Sequence, residues 1–146
     1  MPWLFQANPR YSRIYEAIAS RDQIYWLVTR YGREILPGDR VALWLAGQQA
    51  GVYALGCVQA LPQYYDVPPD WEIWLAPARA QARTYVPVQL TQKLLTQPLL
   101  KSELERDRHL QHLAVIRVPP GTNFRVTPAQ WQQLQRSCTA RGNDHD

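Results

Sequence analysis

The stretch EILPGDRVALWLAGQQAGVYALGCV, residues 34–58, decides the architecture. Pro37-Gly38-Asp39 is a turn tripeptide. From Arg40 to Ala46, Val41, Leu43 and Leu45 alternate with Arg40, Ala42, Trp44 and Ala46, the two-residue period of a strand. Gly47-Gln48-Gln49 forms a short polar turn, and Gly51 to Val58 is a second β-prone run, so the two runs read as an antiparallel hairpin. Gly47 and Gly51 flank the turn, where positive φ or close backbone approach favours glycine, whereas Gly56 sits mid-strand, where it weakens packing unless it permits a sharp barrel bend. Trp44 lies opposite Val41, Leu43 and Leu45, so one face of this strand points away from the core unless a helix covers both.

Working outward, Trp3 to Ala7 predicts a first strand that stops at Asn8-Pro9, and Ile14, Ala17 and Ile18 predict a helix from Ser12 to Ser20. The bulky run Asp22 to Thr29 predicts a strand ending beside Arg30-Tyr31-Gly32, with Trp26 at its loop end. Beyond the hairpin, the proline-rich segment Leu61 to Asp70 reads as irregular, and strands are expected at Trp71–Leu75 and Ala82–Leu90. The leucine pattern from Leu90 to Leu113, broken at Pro98, predicts two short amphipathic helices, followed by a buried strand at Ala114–Val118. Thr127-Pro128-Ala129-Gln130 supplies an N-cap, a first-turn proline and a capping-box glutamine for a last helix with Trp131, Leu134 and Cys138 on its apolar face. Residues 139–146 read as a polar, fraying tail.

The chain has 146 residues, 46% hydrophobic and 19% charged, the size and balance of a single domain with its own core. Twelve prolines favour short elements. The net charge is +4, and all basic residues except Lys93 and Lys101 are arginines, a balance that admits a nucleic-acid partner without requiring one. Two cysteines, Cys57 and Cys138, are too few for a disulfide scaffold and read as buried thiols in a reducing compartment. With no secretory leader pattern at the start and no apolar run of membrane-spanning length, the expectation is a soluble cytoplasmic protein without a membrane partner.

No GxSxG, GxxxxGK[ST] or HExxH pattern occurs, so the expectation is a non-enzyme with no cofactor and no metal. His109 and His112 share a spacing that a metal could use, but they read as a solvated helix face, and Asp66, Asp70 and Glu72 as a hydrated acidic loop. The unusual inventory is aromatic: six Trp and eight Tyr against two Phe, the side chains that hold flat ligands while a polar tip orients them.

Three ordered motifs, WLFQANPRY, PGDRVALWLAGQQAGVYALG and PPGTNFRVTPAQW, resemble the EVE domain, of the PUA-like superfamily and related to YTH domains, over essentially the whole chain. The resemblance implies an α+β fold, a mostly antiparallel β-barrel with surrounding helices over residues 1–138, and non-catalytic binding of a modified base in an aromatic pocket: modified cytosine in DNA, or a modified base in RNA. It implies pocket roles for Asn8, Trp26, Gly47, Gln48, Trp71, Trp74, Thr122 and Asn123, with Trp71 and Trp74 as rivals for the wall opposite Trp26; Trp44, from its strand face, is added to them as a base-binding candidate. Trp26 is expected to be a wall rather than core, and Arg10, Arg13, Arg30 and Arg33, which flank Asn8 and Trp26, to meet phosphates at the mouth. Nuclease-fused relatives suggest a separate nuclease or processing partner. The alternative is a binder of a free nucleotide-like small molecule or an RNA-processing accessory protein. Asn8 stands where animal relatives resembling thymocyte nuclear protein carry a glutamate, replacing a carboxylate by an amide that both donates and accepts.

Overall fold

The computed structural model describes residues 1–144. Its strands are β1 (Trp3–Ala7), β2 (Gln23–Val28), β3 (Arg40–Leu45), β4 (Gly51–Val58), β5 (Gln63–Tyr65), β6 (Arg83–Lys93), β7 (Leu99–Leu100) and β8 (Asn123–Arg125). The helices are α1 (Ile14–Ser20), α2 (Lys101–Leu104), α3 (Ala114–Arg117) and α4 (Pro128–Thr139). The strands form one sheet in the order β2-β6-β4-β3-β1-β8, with β5 on β6 and β7 on β4. The β1–β3 pair is parallel and the other pairings are antiparallel.

The central hairpin forms as its alternation predicts, Arg40 opposite Cys57 through Leu45 opposite Gly51. Gly47 turns it with φ +120°, a conformation that favours glycine. The register shifts between Leu55 and Gly56 where β4 meets β6, and a Cβ on Gly56 would lie 2.7 Å from the Gln89 carbonyl oxygen. The mid-strand glycine therefore allows the close approach that curls the sheet.

Both faces of β3 are buried. Trp3, Phe5, Val41, Leu43 and Leu45 join Ile18 of α1 and Trp26 of β2 in one core cluster. Leu4, Ala42, Trp44 and Leu55 join Trp131, Leu134 and Cys138 of α4 in a second. The helix covering the Trp44 face is held by the capping box that the sequence announces: the Gln130 N–H donates to Thr127 Oγ1, and the Thr127 N–H donates to Gln130 Oε1.

The two edges of the sheet are joined by one side chain. Asn123, on edge strand β8 and 1% exposed, accepts from the Thr29 N–H at 2.8 Å and the Arg30 N–H at 3.3 Å. Its Nδ2 donates to the Leu27 carbonyl on edge strand β2 at 3.2 Å. The curled sheet becomes a half-barrel clasped across its open side.

Several elements differ from their sequence expectation. Residues 71–73 form a 3₁₀ turn rather than a strand. Gln63–Tyr65 pairs with β6 within the segment expected to be irregular. The two expected leucine helices are instead the end of β6, β7, the four-residue α2 and a series of turns. Ala114–Arg117 is a turn of helix rather than a strand. The tail is docked as far as it is described: the Lys93 N–H donates to Asn143 Oδ1 at 2.8 Å, and the Thr96 N–H donates to Asp144 Oδ2 at 2.8 Å. His145 and Asp146, also assigned to that tail, lie outside the described residues. Among the described residues no helix is long and apolar enough to cross a membrane.

Candidate functional site

A cavity of about 480 Å³ opens beside the first strand, within the volume range of small-molecule sites. Its lining comes from five places: the end of β1 with the following turn (Gln6, Ala7, Asn8, Tyr11, Ser12), β2 (Tyr25, Trp26, Leu27), the 3₁₀ turn (Ile73, Trp74), the arginines Arg79 and Arg83, and the Pro119–Thr122 loop. Ile14 and Ala46 complete it. Among the described residues the lining holds two arginines and no carboxylate, so a neutral or anionic ligand is favoured over a cation.

Trp26 borders the cavity yet is only 3% exposed, belongs to the first core cluster, and donates from Nε1 to the Gln6 carbonyl at 3.2 Å. It is core and wall together, against the expectation of a wall alone. Trp74 also borders the cavity and is half-buried, whereas Trp71 is 61% exposed and outside the lining. Of the two rivals, the structure brings Trp74 to the site.

The Trp74 turn is fixed by an ion-pair network and by main-chain hydrogen bonds. Arg21 pairs with Asp70 at 3.0 Å and with Glu72 at 2.8 Å, and Asp70 also accepts from the Tyr25 N–H at 2.7 Å. Burial pushes the Asp70 carboxyl above its ordinary range, opposed by the Tyr25 N–H and Arg21. The Arg13 N–H donates to the Ile73 carbonyl at 2.7 Å, and the Leu75 N–H to the Tyr11 carbonyl at 2.9 Å. The acidic run is thus not a simple hydrated loop: Asp70 is 8% exposed and anchors an aromatic wall.

Asn8 and Thr122 lie in the lining. Asn8 is exposed, and its Oδ1 accepts from the Arg10 N–H at 3.0 Å, so the amide offers its NH₂ to a ligand more readily than its oxygen. Other assignments need correction. Trp44 is 2% exposed in the second core cluster, because α4 packs over that face. Asn123 spends its amide on the clasp between sheet edges and is not in the lining. Gly47 and Gln48 are exposed in the hairpin turn just past Ala46 and do not border the cavity.

None of Arg10, Arg13, Arg30 and Arg33 lines the cavity either. Arg30 lies 4.9 Å from the centre of the Tyr31 ring, where Arg125 also stacks. The arginines at the rim are Arg79 and Arg83, which no sequence motif marks. The Arg79 guanidinium sits 3.8 Å from the centre of the Tyr11 ring, and Arg83 Nη1 donates to the Arg79 carbonyl at 3.1 Å. Neither makes an ion pair among the described residues, which leaves both charges available to an anion.

Candidate chemistry elsewhere is sparse. His109 and His112 occupy a turn, where His112 Nδ1 lies 2.8 Å from an Arg117 nitrogen, and among the described residues no group of three His, Cys, Asp or Glu could hold a metal. Cys138 is buried and its thiol is pushed up to about 12 by desolvation, which keeps it protonated and unreactive near neutrality.

A clasped half-barrel with an aromatic, cationic cavity beside its first strand defines an α+β fold of the PUA-like kind. The chain belongs to the EVE domain family, whose model matches residues 2–137. No curated protein matches the sequence. Among solved structures, a hypothetical protein from Leishmania major is 20% identical with a TM-score of 0.69, covering 95% of this chain and 94% of its own. Human THYN1 in complex with 5-methylcytosine-containing DNA is 13% identical with a TM-score of 0.67, covering 93% and 96%. A point mutant of the ZmASCH protein from Zymomonas mobilis is 12% identical with a TM-score of 0.60, covering 92% and 96%. At these identities the likeness concerns the fold.

Proposed function

We propose that this chain binds a modified base of nucleic acid, a modified cytosine in DNA or a modified base in RNA, and leaves it chemically unchanged. The observation that carries the reading is the cavity itself: Trp26 and Trp74 on its lining, two unpaired arginines at its rim and no carboxylate within it. Human THYN1, with the same fold, is solved with 5-methylcytosine-containing DNA.

The energetics suit this ligand. Extruding a base costs a few kcal/mol, and an aromatic stack returns about 1–3 kcal/mol, so stacking on the half-buried Trp74 offsets much of the extrusion, with the buried Trp26 closing the cavity behind. A buried methyl adds only about 0.8 kcal/mol. A modified-cytosine strand should therefore bind only about fourfold more tightly than its unmodified control, the ratio that ~0.8 kcal/mol gives. Asn8 and Thr122 would address the ring edge, and Arg79 and Arg83 the adjoining phosphates. Arg10 and Arg13, which adjoin lining residues in sequence, are retained as flanking contacts, and Arg30 and Arg33 are not.

Salt titration of binding to such a strand tests the assignment. Three or four phosphate contacts give a log–log slope of roughly −2 to −3 on single-stranded nucleic acid. The double variant Arg79→Gln, Arg83→Gln should flatten that slope by about 1 to 1.5. Binding that ignores salt would favour the alternative reading, a free nucleotide-like ligand held in the cavity without phosphate contacts at the rim.

A further inference from the structure

Three polar or charged residues are buried among the described residues: Asp70, Asn123 and Ser12. The first two are accounted for by the anchor of the Trp74 turn and by the clasp between sheet edges. Ser12 is different. It is 4% exposed, and its hydroxyl has no hydrogen-bond partner among the described residues. Yet among the described residues no fully enclosed side-chain oxygen or nitrogen lacks a partner, so the Ser12 hydroxyl keeps access to open space. The open space that Ser12 borders is the cavity.

The main chain holds this hydroxyl in place. Ser12 forms a β-bridge with Trp74, and the neighbouring Arg13 N–H and Tyr11 carbonyl bond to the same turn. A buried hydroxyl with nothing to bond is costly. One that is fixed beside an aromatic wall and facing a ligand-sized cavity is positioned to bond what enters.

We infer that Ser12 Oγ reads the polar edge of the bound heterocycle, accepting a hydrogen bond from an exocyclic amino group; this rests on the base-binding reading above. Asn8 complements it. With Asn8 Oδ1 engaged by the Arg10 N–H, its NH₂ donates to the adjacent ring nitrogen. An acceptor beside a donor matches the amino group and ring nitrogen of cytosine. Gln6 and Thr122 also border the cavity, but both are half-exposed, so bonds to them compete with water. Ser12 is therefore a specificity-determining residue, with preference for an amino-bearing base.

The test uses two single strands that differ at one ring: one carries 5-methylcytosine, the other 5-methyl-2-pyrimidinone, which keeps the ring and methyl and lacks the amino group. Wild-type protein should prefer the first strand by about tenfold, the order of one hydrogen bond in a desolvated site. Ser12→Ala should bind the second strand as wild type does and lose the preference for the first. Its thermal unfolding should be unchanged, because no internal hydrogen bond is removed. If Ser12→Ala retains the preference, or weakens both strands by the same factor, the inference is overturned while the base-binding reading stands. If wild-type protein binds neither these strands nor any other modified strand, both fall.

Discussion

Trp26→Ala is expected to lower the unfolding free energy by about 3–5 kcal/mol, the range for deleting a buried aromatic side chain. The indole is 3% exposed within the core cluster that includes Phe5, Ile14, Ile73 and Val86. Its removal leaves a void where β1, α1 and β2 meet and takes the Nε1–H from the Gln6 carbonyl. Urea denaturation measures the loss, and a cost under about 1 kcal/mol would contradict the placement of Trp26 in the core. A failure of Trp26→Ala to bind nucleic acid is therefore ambiguous, because a large loss of stability accompanies it. Trp74→Ala separates the roles. Trp74 is half-buried, and its turn is held by Arg21, Asp70 and backbone hydrogen bonds, so binding should suffer more than stability.

Asn123→Ala should cost about 2–4 kcal/mol, because it strands the Thr29 and Arg30 N–H groups and the Leu27 carbonyl together. For a chain of this length that corresponds to a fall in Tm of roughly 4–16 °C. The effect reaches the cavity through geometry: Asn123 directly follows Thr122 and ties β8 to β2, the strand that carries Trp26. Asn123→Asp retains an acceptor for the two N–H groups but forfeits the donor to Leu27 and buries a charge, so it should not restore stability. A Tm within about 2 °C of wild type for the alanine variant would show that the clasp contributes little.

Much of this architecture was legible in the sequence where the signal is local. Strand alternation places β1, β2 and the β3–β4 hairpin, and the Thr127–Gln130 capping box places α4. The segment 90–113 misleads because Leu94, Leu99, Leu104, Leu110 and Leu113 all reach the second core cluster, yet from a strand end, turns and one short helix. Apolar spacing records which side chains are buried, and irregular chain wrapped over a core can imitate helical period. The short run Ala114–Val118 is equally ambiguous, since a buried strand and a turn of helix have the same pattern.

The cavity was legible in part. Asn8, Trp26, Trp74 and Thr122 come from the motifs that carry the family resemblance and from the aromatic positions it implies. Trp44 was misplaced because alternation gives a strand two faces without showing that α4 covers the second. Ser12, Arg79 and Arg83 are brought to the cavity by long-range pairing: Ser12 by its bridge to Trp74, and Arg83 as the first residue of β6. A lone serine and two loop arginines leave no periodic trace. The run Asp70–Glu72 reads in the sequence as a hydrated loop, because the partner of its carboxylates, Arg21, lies some fifty residues away.

The central claim is that the base leaves the strand and enters this cavity. A crystal structure of the chain with a short single strand carrying one 5-methylcytosine tests it most directly. The account predicts the modified ring inside the cavity that Trp26 and Trp74 line, its edge at Ser12 and Asn8, with Arg79 and Arg83 against the adjoining phosphates. A strand held on the outer surface, with all its bases stacked and the cavity occupied only by solvent, would contradict it.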